Sequence, residues 1–498
     1  MTSVNQLPPL PKGWLYARIQ DISETTSGGT PSRKNKDFFS GDIPWLKSGE
    51  LADNLNINSA EEAITPQALD NSSAKIIPKG SLLIALYGAT VGKMGLLTID
   101  AAINQAICAI QPYQGVYPKY LFWYLSSCRK NFLNARKGGA QPNISQEIVK
   151  TALVPLAPTA EQLRVIAKVE ELFSFLDAGV DLLLKVKTQL KRYRQAVLKY
   201  AFEGKLTEEW RKTHMDQIEP ATKLERIIRK EESPLLEATG LLQLPDGWKW
   251  TTIQNVAKKE KGSIRMGPFG SQLKKAELAD EGVRVLWIEN IVNNRFEYKI
   301  GKFITAEKYK ELEGFTVAPG ELLVTMMGTI GRVAIVPNDI GRAIISSHLL
   351  RIRLDDHLCE PEYLKYAILS EDSKKQMDRK SRGVVMKGLN TKIIESVYFP
   401  LPSLPEQRQL VKEIEYHLSL VDDTERTLIQ NLEQSGRLRE SVLKTAFEGK
   451  LVPQGPSDEP TEKLLERIRE ERAKSKGEKG IHKKKNNSRQ LELPNYVK

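Results

Sequence analysis

The chain has 498 residues, 40% of them hydrophobic and 27% charged, a balance that leaves room for several ordinary cores. No apolar run approaches the roughly 20 residues that span a bilayer. The opening MTSVNQLPPLPKGW lacks an apolar signal-peptide core, so a cytoplasmic location and no membrane partner are expected. A net charge of +12 favours a polyanion partner, most simply nucleic acid, although the stretch from Arg472 to Arg489 carries part of that excess. Cys108, Cys128 and Cys359 show no metal-type spacing, which argues against a zinc site or a disulfide framework. The histidines are scattered singly. His348, inside the apolar-rich run Ile344 to Leu350, reads as a packed residue before a catalytic one.

Residues 1–155 read as a mixed, strand-rich first domain. Short apolar runs punctuated by glycine predict strands at Ile43 to Leu46, Ser81 to Tyr87 and Ala106 to Ile110. Pro118 to Ser127 predicts a short helix with proline in its first turn. Residues 156–235 read as a helical spacer with one long helix from 161 to about 203. Its apolar residues Ile166, Val169, Phe173, Leu176, Val180 and Leu183 alternate in threes and fours, the seam of a coiled coil. The seam then skips a step and resumes at Val186, Leu190, Tyr193, Val197 and Tyr200. Gly204 is placed to cap the helix in the left-handed region, and a second short helix is expected around Thr222 to Glu232.

Residues 236–402 read as a second mixed domain. Gly320 to Pro337 parallels Gly80 to Leu97, each a strand, a glycine turn and a strand, and Pro361-Glu362-Tyr363-Leu364 parallels Pro118-Lys119-Tyr120-Leu121. Residues 403–474 repeat the helical spacer, with a seam at Val411, Ile414, Leu418, Val421, Leu428 and Leu432. Glu425 and Ser435 make that seam less dry, and a short helix is expected at Glu462 to Glu471. Residues 475–498 read as a basic, disordered tail.

The two spacers are copies. Ala201-Phe202-Glu203-Gly204-Lys205-Leu206 recurs letter for letter from Ala446 to Leu451, and Glu161-Gln162 recurs as Glu406-Gln407, each 245 positions on (446 less 201, 406 less 161). LPPLPKGW, ending at Trp14, is echoed less closely by LQLPDGW, ending at Trp248. Matched connectors with unlike domains between them point to one task done twice and another done in two ways. Each long helix must bury its one apolar stripe. Packing the two helices together does so, and an antiparallel pair lets the intervening domain return the chain to its start. The expected fold is therefore α+β, with two mixed, strand-rich domains separated by an antiparallel coiled coil and an internal pseudo-two-fold repeat. About 40 helical residues give a rod of about 60 Å, enough to cover up to about 17 base pairs.

Catalytic motifs do not emerge. Gly88-Ala89-Thr90-Val91-Gly92-Lys93 fails as a phosphate loop because the spacing is short and Met94 stands where Ser or Thr is needed. It reads instead as a hairpin turn presenting a base. No methyl-donor loop, helicase-type acidic box, HExxH or GxSxG occurs. The polar, glycine-bearing loops Ser27 to Lys36, Gly262 to Lys275, Lys137 to Ser145 and Lys380 to Lys392 suit phosphates and base edges. Candidate DNA-binding residues on or near these loops are Arg33, Lys93, Arg265, Lys274 and Arg332 among the bases, with Thr30, Ser32, Gln141, Ser271 and Gln272 among the polar groups. Trp14, Trp45, Trp248 and Trp287 read as core residues before base-stacking ones.

Taken in order, these pieces resemble the specificity subunit of type I restriction–modification enzymes over nearly the whole chain. The resemblance rests on Ser27 to Ser32 (SGGTPS), Ile43 to Leu51 (IPWLKSGEL), Gly88 to Lys93, Asn104-Gln105-Ala106 and Gly267 to Ser271 (GPFGS). It rests also on the proline-rich strand ends before Glu161-Gln162 and Glu406-Gln407. The resemblance implies two target-recognition domains, each reading half of a split, asymmetric site in double-stranded DNA. It implies helices that fix the spacing and dock two modification (methyltransferase) subunits, with restriction subunits joining the larger complex. It implies no catalysis and no cofactor in this chain, S-adenosylmethionine, ATP and Mg belonging to the partner subunits. The competing readings are a single-chain nuclease or methyltransferase, which the missing motifs disfavour, and a coiled-coil structural adaptor with non-specific DNA affinity.

Overall fold

The computed structural model describes residues 7–130, 143–217, 243–299, 301–381 and 389–474. The expected helix at Thr222 to Glu232 and the basic tail 475–498 lie outside the described residues. Two compact units are present, Met1–Leu182 with Gln430–Lys498, and Leu183–Ile429. The division cuts both long helices, so each unit holds one mixed domain, half of one long helix and half of the other.

In the first unit a five-stranded sheet runs in the order Ser23–Ser27, Ile107–Pro112, Leu82–Ala85, Met94–Leu97, Asn54–Ile57. A four-stranded sheet runs Glu62–Ile64, Ile43–Leu46, Ala101–Ile103, Ile76–Ile77. Strand Leu82–Ala85 is buried on both faces, as its unbroken apolar run requires. Leu15–Arg18 pairs antiparallel with Leu153–Leu156, which closes the domain and delivers the chain into the first long helix. The second unit has a four-stranded sheet in the order Ile264–Met266, Leu349–Ile352, Leu322–Thr325, Val333–Ile335 and a three-stranded one in the order Lys302–Ile304, Val283–Leu286, Ala343–Ile345. Lys249–Thr252 with Tyr398–Leu401 is its closing pair.

The long helices are Thr159–Phe202 and Leu404–Phe447, 44 residues each. In the first unit Phe173 shares a core with Leu443 and Phe447, and Asp177 pairs with Arg439. In the second, Val197 and Leu198 share a core with Leu410 and Ile414, Tyr193 bonds His417 at 2.9 Å, and Arg194 pairs with Asp422. Early residues of one helix meet late residues of the other in each unit, so the packing is antiparallel. The seam differs from expectation after residue 190. Tyr193 and Tyr200 are 43% and 49% exposed, while Arg194, Val197, Leu198 and Ala201 face inward. A straight helix drifts against a strict heptad, and here the drift brings Arg194 into the seam, 3.0 Å from Glu425, the polar seam residue of the partner helix.

Both sequence repeats find their physical reason in the closing contacts. Trp14 Nε1 donates to Glu161 Oε2 at 2.9 Å, and Trp248 Nε1 donates to Glu406 Oε2 at 2.9 Å. Gln162 accepts the Tyr117 N–H and donates to Ala157 O, while Gln407 accepts the Glu360 N–H and donates to Leu358 and Pro402. Buried at the starts of the helices, these side chains satisfy backbone groups that would otherwise be orphaned. At the other ends Gly204 and Gly449 adopt φ +71° and +67°, and an added Cβ would lie 2.5 Å from Pro245 Cγ and 2.2 Å from Pro11 Cγ. The recurrent glycine of one motif therefore seats the recurrent proline of the other.

Candidate nucleic-acid interface

Each domain gathers its polar loops along one sheet edge, and strand direction dictates this. In the first unit Ser23–Ser27 and Leu82–Ala85 both run antiparallel to the strand between them, Ile107–Pro112. Their outgoing loops, 28–33 and 86–93, therefore leave on the edge where the incoming loop 104–106 arrives. Gly28 crosses so close to Ile103 that a Cβ would lie 1.8 Å from its carbonyl oxygen. Thr30 Oγ1 donates to Gln105 Oε1, tying two of these loops together. Ile144 N–H donates to Leu86 O, bringing a fourth segment alongside. In the second unit Ile264–Met266 and Leu322–Thr325 flank the antiparallel Leu349–Ile352 in the same way. Loops 267–272 and 326–332 leave together where 346–348 arrives, and Leu389 N–H donates to Met326 O.

The candidate side chains have different fates on these edges. Thr30 and Ser32 are exposed, and Lys93 is half-buried on the hairpin turn. Gln141 lies outside the described residues. Arg33 lies against Phe39, its guanidinium 4.2 Å from the ring centroid, and sets its terminal fork on Glu62 at 2.7 and 3.2 Å. Lys47 also bonds Glu62, at 3.0 Å. Arg33 first and Lys47 second hold the Glu62 carboxyl below its ordinary pKa, and hydrogen bonds to Glu61 and Glu62 raise that of Lys47. Ser271 and Lys274 are exposed, and exposed Gln272 turns its side-chain oxygen back to the Phe269 N–H at 3.1 Å. Arg265 lies within a strand rather than on a loop. Its guanidinium reaches back to Gly314 O at 3.3 Å and stacks 4.4 Å from the Phe315 ring. Arg332 is half-buried, with a 3.3 Å bond to Ile291 O. The tryptophans Trp14, Trp45 and Trp248 are core residues, each under 5% exposed.

The sequence candidates were polar, basic or tryptophan side chains and did not include Phe269, Met327 and Ile330, all exposed on the second unit's edge. For Phe269 and Ile330 the available signal was an apolar residue between glycines. It also missed a matched set on the long helices. Phe175 and Leu420, Leu184 and Ile429, and Tyr193 and Leu438 are exposed apolar residues standing 245 positions apart pairwise. The ion pairs Asp177–Arg439 and Asp422–Arg194 repeat at the same interval.

Two unlike loop edges, each carried on a copied helical frame, define a modular binding protein with two readers. The sequence pattern of the type I restriction modification DNA specificity domain matches residues 11–192 and again 245–434. The chain belongs to that family, and carries its recognition domain twice. It is 26% identical over 97% of both chains to the EcoBI specificity subunit of a type I restriction enzyme from Escherichia coli. Its fold matches, at TM-score 0.66 and 18% identity, a chain from a structure addressing assembly and conformational transition of the type I R-M system, over 89% of this chain and all of that one. It also matches the HsdS subunit from Thermoanaerobacter tengcongensis at TM-score 0.53 and 18% identity, over 90% of this chain and all of that one.

Proposed function

We propose that this specificity-family chain chooses the DNA sequence for a type I restriction–modification complex and performs no catalysis itself. Each loop edge reads one half of a split, asymmetric duplex site, and the paired helices set the number of unread base pairs between the halves. The exposed apolar residues repeated on the long helices dock two modification subunits, which supply S-adenosylmethionine chemistry. Restriction subunits with ATP and Mg complete the assembly, in the cytoplasm. The observation that carries this reading is the contrast within the repeat: closing contacts, ion pairs and apolar docking positions recur, while the loop edges differ. A common frame suits one partner bound twice, and unlike edges suit two half-sites. Family membership and the unlike edges disfavour a structural adaptor with indifferent DNA affinity.

The test is a domain exchange. With residues 1–155 replaced by those of another family member, the chain assembled with its modification subunit methylates a site altered in one half only. A site altered in both halves, or DNA binding by the assembled complex that ignores sequence, overturns the reading.

A further inference from the structure

Phe269 is 59% exposed, Ile330 42% and Met327 37%. Single apolar side chains on a surface are unremarkable, but these three share the one edge from which the second unit's polar loops emerge. The loop carrying Phe269 is built to hold it outward. At its foot, Gly267 lies so near Ser346 that a Cβ would be 2.1 Å from the carbonyl oxygen, and Pro268 is buried. At its tip the Phe269 N–H donates to Gln272 Oε1 at 3.1 Å, and the Phe269 carbonyl accepts the Gln272 N–H at 2.8 Å. The turn is closed by its backbone and by Gln272, and the ring takes no part in closing it. Lys274 and Lys275 follow, both exposed.

Strands 264–266 and 322–325 are separated by one intervening strand, so the two loops leave the sheet about 10 Å apart. That is about three base steps at 3.4 Å each. An edge with bases and amides for neighbours meets a duplex through its charged and polar groups. The apolar feature that an undistorted duplex offers it is the thymine C5-methyl group in the major groove. Wedging the ring between bases would cost a few kcal/mol of unstacking, whereas a methyl contact needs no deformation and suits an aliphatic neighbour such as Ile330 equally well. On the first unit's loops 28–33 and 86–93 no large apolar side chain is exposed.

Resting on the function proposed above, we infer that Phe269 reads the 5-methyl group of a thymine in the half-site bound by the second unit. The contact gives that half-site a thymine preference that hydrogen bonding alone would not supply.

The experiment uses the full chain assembled with its modification subunit, and duplexes in which each thymine of that half-site is replaced in turn by uracil. Uracil keeps the pairing and deletes the methyl group. One replacement weakens binding by about three- to tenfold, the size of one buried methyl contact. Phe269→Ala binds the thymine and uracil duplexes alike at that position, Phe269→Leu keeps part of the preference, and the other half-site is read unchanged in both variants. The inference is overturned if the half-site contains no thymine, if no replacement weakens binding, or if Phe269→Ala still distinguishes the two duplexes. A complex with no bipartite target at all defeats the proposed function instead, so the two failures are separable.

Discussion

Glu161 and Glu406 hold corresponding places at the starts of the two long helices, but their surroundings are not the same. Glu406 takes the Trp248 N–H, the Thr207 hydroxyl at 2.8 Å and the Arg211 guanidinium, whereas Glu161 takes the Trp14 N–H and has no cation bonded to its carboxylate among the described residues. Burial pushes the Glu161 pKa above its ordinary 4.5, the Trp14 N–H opposes the rise, and Asp458 adds to it. A raised carboxyl favours folding most below the unfolded value, and that contribution is lost as pH rises through the folded one. Glu161→Gln keeps an acceptor for Trp14 and removes the charge. Its melting temperature relative to wild type should therefore climb as pH rises above 4.5, and a difference that stays flat would contradict the assignment. Glu406→Ala should cost about 3–5 kcal/mol by denaturant unfolding, because it strands the Arg211 charge. The recurrence of Glu-Gln was legible in the sequence and its cause was not, since the tryptophan bonded to Glu161 lies 147 residues away. The same distance problem hid the state of Arg33, whose partner Glu62 is 29 residues on.

Local pattern carried most of the element scale. Ile43–Leu46 and Pro118–Ser127 form where a short apolar run and an N-terminal proline placed them, and the long helices differ from expectation by at most two residues at either end. The strand at Ser81 to Tyr87 is shorter, Leu82–Ala85, because the residues after it already belong to the turn of the loop edge. Beyond residue 190 Val197 faces inward as its spacing predicts, but Tyr193 and Tyr200 do not, because a basic residue, Arg194, answers the acidic one opposite. Arg194→Leu alone leaves Glu425 facing an apolar group and should cost about 1 kcal/mol, a figure kept small by solvent screening. Arg194→Leu with Glu425→Leu should return to within about 1 kcal/mol of wild type in the same denaturation assay. Lengthening or shortening the helices by about eight residues near Lys185, about 12 Å of rise, should change the unread gap in the methylated site or abolish recognition. An unchanged gap in a folded complex would remove the helices' role as a measure.

At the scale of the whole molecule, the first unit is assembled from distant parts of the chain. Thr461 ties the late segment to the early one: its hydroxyl donates to Leu156 O at 3.0 Å, its N–H donates to Gly13 O at 3.0 Å, and Gln454 donates to Lys12 O. Arg164 pairs with Asp458, and Leu464 and Ile468, on helix 461–474, are each 1% exposed in the first unit's core. Leu464→Ala should cost about 2–5 kcal/mol. Hydrogen exchange should show the loss among the described residues of the first unit, with protection preserved among those of the second. Uniform loss of protection would mean that the units unfold as one. Sequence alone marked 462–471 as a helix but gave no sign that it completes a domain beginning more than four hundred residues earlier.

That arrangement sets an order of events during synthesis. The first unit's core takes residues from both sides of the second unit in sequence, so the N-terminal reader waits for Leu443, Leu464 and Ile468 to be made before that core can close. A premature stop within that late segment would damage the reader made earliest and spare the one made second. A frameshift within residues 430–474 takes Leu443, Leu464 and Ile468 out of the first unit's core and leaves the second unit's own core residues unchanged.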